Sequence, residues 1–387
     1  MIPYGRQEIS EQDIEAVVAV LRSDFLTQGP MVPQFEQALA SKVGATHAVA
    51  VNSATSALHI ACLALELGQG DWLWTSPVTF VASANCALYC GAQVDFVDID
   101  PRTYNLCPVA LERKLIEAEK QGRLPKVVVA VHLCGQPCDM QAIGALAKRF
   151  GFAVIEDASH AIGGRYQGDY VGSGRFSDIT IFSFHPVKII TTAEGGMAVT
   201  NDDETLAARM ALYRSHGITR DPALMVGESD GPWYYQQIEL GFNYRMTELQ
   251  AALGVSQLAR LDDFVARRHA LARRYDQLLA ALPVTCPWQH ADSYSGLHLY
   301  PIRLQLEKIA LSHREVFEQL RERGIGVNLH YIPVHTQPYY TAMGFAADDF
   351  PQSMAYYREA ISLPMYHSLT EAQQDEVVAS LTEVCHG

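Results

Sequence analysis

The segment that decides the fold is FSFHPVKIITTAEGGMAVT, residues 182–200. An apolar run ends in a polar stretch that contains Lys188, and two glycines lead into a second apolar run. A lysine in such a setting is partly removed from water, so it either pairs with a charge or reacts as an amine. The segment therefore predicts a strand, a loop with a candidate reactive lysine, and a returning strand.

Composition and charge limit the class of protein. The chain has 387 residues, 49% of them hydrophobic, and exceeds the size at which one core usually stops growing, so we expect two domains. A net charge of −14 argues against general affinity for nucleic acid or acidic membranes. The N-terminus has no signal-peptide pattern, and no apolar run has bilayer length, so we expect a cytoplasmic protein.

The eight cysteines lie mostly in apolar segments, which is typical of packed thiols in a reducing compartment. The pairs Cys86/Cys90 and Cys134/Cys138 leave a metal site as an alternative. Neither pair has C-x-x-C spacing or a neighbouring histidine cluster, so the pattern favours packed thiols.

Short apolar runs alternate with helical patterns up to about residue 200. The predicted strands are 47–52, 71–75, 93–98, 126–132, 152–156, 178–184 and 196–200, and the predicted helices are 10–21, 54–67, 79–90 and 139–150. This order indicates an α/β domain with a mostly parallel sheet covered on both faces. Polar clusters at 52–56, 156–160 and 183–188 follow three of these strands, where ligands of such sheets bind.

The pattern of apolar residues changes after about residue 243. Long helical patterns at 247–261 and 262–282 precede a strand at 297–304, a helix at 312–323 and a strand at 325–329. We therefore expect a large domain over 1–245 and, over 246–387, a long linking helix with a small C-terminal α+β domain. The stretch 219–235 is the best candidate for a mobile loop.

Two helix starts suit an anion. Residues 53–58 begin a helix with small and hydroxyl side chains and no carboxylate, so free N–H groups are open to phosphate. Plain N-capping by Ser53 is the alternative. The start at 243–250 has a capping box from Thr247 to Gln250, and it also either meets an anion or is simply well capped.

Asp157 follows an apolar strand and needs a cationic or N–H partner. Together with Lys188 and a phosphate-binding helix, it completes the three features that pyridoxal phosphate (PLP) requires. A buried salt bridge between Asp157 and Lys188 is the alternative.

Six ordered motifs carry a resemblance to a known family. NSATSAL (52–58), EDASHAIGGRY (156–166), the opening segment, YRSHG (213–217), LGFNYRMTELQAALG (240–254) and LHYIPVH (329–335) resemble the sugar aminotransferases of the DegT family. The resemblance runs from LTQGP at 26–30 to ISLPMYHSLT at 361–370. It implies a fold-type I PLP-dependent transferase. Some members are dehydratases with histidine in place of the lysine, so Lys188 favours transamination.

The resemblance also implies roles for individual residues. Lys188 would hold the cofactor through its amine and later move a proton, Asp157 would pair with the pyridine nitrogen, and His160 would lie near the phenolic oxygen. Phe80 would stack on the ring, although without the resemblance we would predict that it is an aromatic residue of the core. The implied phosphate ligands are Thr55, Ser56, Ser183 and, from a partner subunit, Asn243. The last of these requires a homodimer.

The implied substrates are L-glutamate and a nucleotide-linked keto-sugar, with pyridoxamine phosphate (PMP) formed in the half-reaction. SHAIGG, SFHPVKIITTAEGG and LYRSHG resemble most the members of the pseudaminic acid pathway, which aminate C4 of a UDP-4-keto-6-deoxy-N-acetylhexosamine. UDP-4-keto-pentose and dTDP-keto-sugars are alternatives. A noncatalytic nucleotide-sugar-binding regulator and a PMP-dependent dehydratase are rivals, and the presence of Lys188 with Asp157 favours the aminotransferase.

Substrate contacts are expected at both ends of the chain. Tyr4, Arg6 and Gln28 resemble an N-terminal segment that closes over the nucleotide sugar. His330, Tyr331 and His335 suit hydrogen bonds to a diphosphate or to sugar hydroxyls, or else form a polar seam between domains. Gly195 and Gly196 are expected to allow a tight reversal, and 191–194 are placed by the resemblance alone.

Overall fold

The opening segment forms a β-hairpin inside a large sheet. The structure is a computed structural model that describes residues 1–201 and 204–386. Its strands are β1 (His47–Val51), β2 (Trp72–Thr75), β3 (Gln93–Phe96), β4 (Val127–Val131), β5 (Ala153–Asp157), β6 (Arg165–Tyr166), β7 (Asp169–Tyr170), β8 (Ile179–Ser183), β9 (Gly196–Thr200), β10 (Ile218–Thr219), β11 (Gln236–Gln237), β12 (Val284–Thr285), β13 (Ser293–Tyr294), β14 (Tyr300–Leu304) and β15 (Ala360–Leu363).

Helices cover the sheet and build the C-terminal part of the chain. They are α1 (Glu11–Leu21), α2 (Met31–Val43), α3 (Ala54–Ala64), α4 (Ala82–Tyr89), α5 (Pro108–Gln121), α6 (Met140–Phe150), α7 (Glu204–Arg214), α8 (Glu248–Leu258), α9 (Leu261–Leu278), α10 (His313–Glu322), α11 (Pro338–Thr341), α12 (Pro351–Glu359) and α13 (Glu371–His386). Within residues 1–201 and 204–386, no helix is both long and apolar enough to cross a bilayer.

The large sheet has seven strands in the order β1-β9-β8-β5-β4-β2-β3. Neighbours among β8, β5, β4, β2 and β3 pair in parallel, whereas β9 is antiparallel to both β1 and β8. The chain returns from β8 to β9 directly, without a crossover helix, and such a hairpin is antiparallel. The predicted α/β class with a mostly parallel sheet is confirmed. β1, β5 and β8 point the same way, so their carboxyl ends share one edge.

Apolar clusters lie on both faces of this sheet. Side chains of α3, α4 and α7 pack on one face, and those of α5 and α6 pack on the other. A third cluster joins α2 and α8 to β8 and β9. The strand β4 reads VVVAV and is buried throughout, as expected for a strand covered on both sides.

The C-terminal part has its own cluster, built largely from 271–385 around the sheet β12-β14-β15. Met246 to Val265 instead pack with the α2 and α8 cluster. The division at 245 and 246 stays a prediction. The strand predicted at 325–329 is wrong. Ile325 and Asn328 make isolated bridges to two different segments, at Ile2 and Ser362, so no continuous ladder forms.

The close approach of two backbone segments explains why residue 196 is glycine. Gly195 and Gly196 lack positive φ, so tight reversal is not the reason for glycine here. A Cβ built on Gly196 would lie 2.5 Å from the Ala54 nitrogen and 2.6 Å from the Ser53 carbonyl oxygen. The start of β9 thus lies against the start of α3, and only hydrogen fits between them.

We predict that Gly196→Ala destabilises the protein by about 1–3 kcal/mol, the usual cost of overpacking, and weakens binding of the PLP that the resemblance implies, because α3 must shift. Thermal unfolding and equilibrium titration of the cofactor measure both effects. Gly68→Ala is the matched control, since a Cβ there meets nothing within 4 Å. Equal behaviour of the two variants would contradict the prediction.

Candidate active site

One cavity of about 910 Å³ lies at the carboxyl edge of the sheet. Most of the residues predicted for the site line it: Tyr4, Thr55, Ser56, Phe80, Asp157, His160, Ser183, Lys188, His330 and Tyr331. The polar clusters that follow β1, β5 and β8 therefore converge, as the alternation of strands and helices predicted.

Lys188 reaches the cavity from the loop between β8 and β9. Its N–H donates to the His185 carbonyl over 2.9 Å, which makes a turn. The side chain is half-buried. Burial lowers the pKa of Lys188 to about 8, although the nearby carboxylate of Asp157 opposes this change. About a tenth of the amine is therefore unprotonated at pH 7, far more than for a lysine with its ordinary pKa, and this fraction is available as a nucleophile or base.

Residues 191–194, which had no physical explanation from sequence, fasten this loop. The Thr191 hydroxyl donates to the Phe184 carbonyl over 2.9 Å, and the Thr192 hydroxyl donates to the Glu194 carbonyl over 2.7 Å. The Gln250 amide of α8 donates to the same Glu194 carbonyl over 2.7 Å. These bonds hold both arms of the loop and thereby fix the backbone that carries Lys188.

Asp157 is buried at the end of β5 and accepts three hydrogen bonds. The Ser83 hydroxyl donates to Oδ2 over 2.7 Å, and the Ser159 hydroxyl and N–H donate to Oδ1 over 2.6 and 3.1 Å. These donors fix the orientation of the carboxylate at the edge of the sheet. Sequence reasoning placed Ser159 in a polar cluster of the site but assigned neither serine as a partner of Asp157. Ser159 has the spacing of an Asx turn, but Ser83 lies on α4 and has no local signal.

The start of α3 forms another part of the cavity wall. Its first turn has no acidic residue, and the Ser53 hydroxyl caps it by accepting from the Ser56 N–H over 3.1 Å. The Ser56 hydroxyl donates to the Asn52 amide oxygen over 2.7 Å. Thr55 lines the cavity beside them. The first turn of a helix leaves N–H groups without intrahelical partners, so this end suits phosphate.

His160 is buried and held at both ring nitrogens. The Cys134 N–H donates to Nδ1 over 3.2 Å, and Nε2 lies 3.1 Å from the Tyr331 hydroxyl. Burial lowers the pKa of His160 well below its usual value, and the positive charge of Lys188 adds to this effect. The ring is therefore neutral.

The wall formed by the C-terminal part is polar and uncharged. Burial lowers the pKa of His330 to about 3 and raises that of Tyr331. His298 also lines the cavity, at a ring-centroid distance of 4.5 Å from His160, and sequence reasoning missed it. Burial lowers its pKa as well, and its Nδ1 has no hydrogen-bond partner in the described parts of the chain. This wall suits oxygen atoms of an uncharged ligand part.

The remaining predicted residues lie outside the cavity. Arg6, Gln28 and Asn243 are exposed in the single chain, and their roles stay predictions. His335 is buried among aromatic rings, with its centroid 4.8 Å from that of Phe350.

The cavity fits PLP on its own geometry. It holds an amine with a lowered pKa, a buried carboxylate with three donors and a helix start free of acidic side chains. Phe80 is 56% exposed although it is a large apolar side chain. Its exposed ring on the cavity wall is available to stack on a planar ligand.

Comparisons with known proteins agree with this site. The model of the DegT/DnrJ/EryC1/StrS aminotransferase family matches residues 7–382. The spore coat polysaccharide biosynthesis protein SpsC of Bacillus subtilis is 40% identical over 100% of this chain and 97% of its own length.

Solved structures give the same result. PseC of Helicobacter pylori, an aminotransferase of pseudaminic acid biosynthesis, superposes with a TM-score of 0.91 at 31% identity, covering 100% of this chain and 99% of that one. Spr1654 of Streptococcus pneumoniae in its PMP form has a TM-score of 0.90 at 29% identity, with the same coverage. The predicted fold type and cofactor are thereby confirmed.

We predict a pH signature of Lys188 in the cofactor-free protein. The unfolded chain holds the lysine proton up to its ordinary pKa of 10.5, whereas the folded chain releases it at about 8. Between these values the unfolded state binds more protons, so this group makes the protein more stable as pH rises. Relative to Lys188→Met, the wild type should therefore gain stability from pH 8 to pH 10.

Denaturant unfolding at several pH values measures this difference. Lys120→Met is the control, because the Lys120 side chain is 67% exposed. A stability difference between wild type and Lys188→Met that stays constant with pH would contradict the prediction.

Proposed function

The chain belongs to the DegT/DnrJ/EryC1/StrS aminotransferase family, and from this premise we propose that it transfers the amino group of L-glutamate to C4 of a UDP-4-keto-6-deoxy-N-acetylhexosamine. The enzyme class, a PLP-dependent sugar aminotransferase, follows from the family and its solved members. The observation that carries the proposal is that Lys188, Asp157 and the start of α3 line one cavity.

The chemistry divides between cofactor and protein. When bound, PLP supplies an aldehyde for the amine and a ring that withdraws electrons from the reacting carbon. Lys188 would hold the cofactor through Nζ, and once the amine of the amino donor has displaced it, the free Nζ would take a proton from the donor's α carbon and deliver it to the cofactor. Its pKa of about 8 suits both directions of this transfer.

Other side chains would orient and polarise the cofactor. The Asp157 carboxylate, held by Ser83 and Ser159, would pair with the pyridine nitrogen and favour its protonated form. Phe80 would stack on the ring. The phosphate would be held by the start of α3, with Thr55 and Ser56, and by Ser183 of β8.

The sugar binds at the uncharged wall. Tyr4, His330 and Tyr331 offer hydrogen bonds without a net charge, which suits hydroxyl and N-acetyl oxygens better than a diphosphate. Arg6 and Gln28, on the N-terminal segment, close over the nucleotide. Support for the sugar comes from the sequence motifs and from the similarity to PseC. The greater identity with SpsC favours, as a second candidate, another nucleotide-linked keto-sugar.

We predict that the enzyme prefers the UDP-4-keto-6-deoxy-N-acetylhexosamine over UDP-4-keto-pentose and dTDP-4-keto-6-deoxyhexose. The expected margin in kcat/KM is at least about tenfold, because a sugar substituent with its own pocket contributes at least that much. Each assay contains L-glutamate and quantifies 2-oxoglutarate and product. Equal amounts of 2-oxoglutarate and amino sugar are expected. A preference for another sugar would contradict the proposed substrate. A deoxygenated product formed without 2-oxoglutarate would contradict the proposed transamination.

The proposal includes a homodimer in which Asn243 serves the other subunit's site. Asn243 is exposed and does not line the cavity of its own chain. Large apolar side chains are exposed on the preceding segment, as is typical of a covered surface: Leu224, Val226, Trp233, Tyr235 and Leu240.

A mixing experiment tests this arrangement. Lys188→Ala and Asn243→Ala should each be strongly impaired alone. In a hybrid dimer of the two, one site keeps both native residues if Asn243 acts across the interface. Random mixing should then restore roughly one quarter of the wild-type rate, since half the dimers carry one good site of two. Reassembly without recovered activity, shown by differently tagged subunits, would place Asn243 in its own chain's site, and full activity of Asn243→Ala alone would place it outside both sites.

A further inference from the structure

A buried amide lies outside the cavity and has no role in the proposed chemistry. Asn105 is 2% exposed and follows β3. Its Oδ1 accepts from the Leu133 N–H over 2.9 Å, and its Nδ2 donates to the Gln136 carbonyl over 2.9 Å. One side chain therefore clasps both ends of the loop 133–136.

This loop is held on its other side by the segment that leads into β14. The Gly296 N–H donates to the Gly135 carbonyl over 2.9 Å, and the Leu299 N–H donates to the Cys134 carbonyl over 3.2 Å. Cys134 has φ 59°, a conformation that non-glycine residues adopt at some cost. The surrounding hydrogen bonds thus hold the Cys134 peptide in a set direction.

The Cys134 N–H points at Nδ1 of His160, at 3.2 Å. A backbone N–H only donates, so Nδ1 must present its lone pair. A neutral imidazole then carries its proton on Nε2. Nε2 lies 3.1 Å from the Tyr331 hydroxyl, which accepts this proton's hydrogen bond. Tyr331 consequently keeps its own proton for another acceptor, and its side chain lines the cavity.

We propose that Asn105 is a positioning residue: by fixing the Cys134 peptide it holds His160 as the Nε2–H tautomer, so that Nε2 of His160 can only donate to the Tyr331 hydroxyl and Tyr331 donates into the cavity. An oxygen of the keto-sugar or the phenolic oxygen of the cofactor is the acceptor. The consequence for catalysis rests on the proposed function, whereas the tautomer itself does not.

The tautomer is measurable in the cofactor-free protein. We expect the ¹⁵N NMR spectrum of the histidine side chains to show His160 with an unprotonated Nδ1 and a protonated Nε2. His160→Gln identifies the signals. A protonated Nδ1, or a mixture of tautomers in the wild type, would overturn the proposal without any further variant.

Two variants test whether Asn105 or Tyr331 determines the tautomer of His160. Asn105→Leu, of similar size, releases the loop, and we expect the signals of His160 to move toward a tautomer mixture. Tyr331→Phe should leave the tautomer unchanged, because a hydroxyl both donates and accepts and so does not select it. An unchanged tautomer in Asn105→Leu, or a changed one in Tyr331→Phe, would overturn the role of Asn105.

Controls exclude general loosening of the fold. Thr75→Val removes another buried side-chain hydrogen bond, 3.0 Å to the Val129 carbonyl, and should leave His160 unchanged. His59, buried on α3 beside Tyr244, should keep its signals in every variant. If the proposed substrate or reaction is wrong, the sugar assays will show it and the NMR spectra will still be as expected. Failure of the proposed function is therefore distinguishable from failure of the proposed role of Asn105.

Discussion

The removal of the Lys188 amine from water beside the buried carboxylate of Asp157 is the interaction on which the site depends. Burial lowers the pKa of Lys188 to about 8, and the carboxylate limits how far it falls. Ser83 and Ser159 hold that carboxylate in place by donating to both its oxygens. This chemistry requires of the protein an amine whose pKa lies near neutral pH and a carboxylate that is held in place beside it.

The sheet places these two groups together. β5 and β8 are neighbours, so Asp157 and the loop after Ser183 begin at the same edge. β9 then passes between β8 and β1 and brings Gly196 against the start of α3. One hairpin thereby positions the amine and the phosphate wall at once, and the bonds of Thr191 and Thr192 hold its loop.

Much of this follows from the sequence. The strands of the large sheet and the convergence of three polar clusters were predictable, because hydrophobic periodicity and the alternation of strands with helices can be read locally along the chain. Ser83, Asn105 and His298 were not, since their partners lie far away in the chain and nothing in their neighbours marks them. The false strand at 325–329 shows the same limit, because an apolar run does not reveal whether its partners form one ladder.

Reduction of the PLP-loaded enzyme with borohydride, followed by peptide mass spectrometry, tests the central claim most directly. We expect the cofactor to be fixed covalently to the peptide that contains Lys188, and Lys188→Ala to be folded, inactive and unlabelled there. Labelling of another lysine at full occupancy, or turnover by Lys188→Ala, would contradict the assignment of Lys188 as the reactive amine.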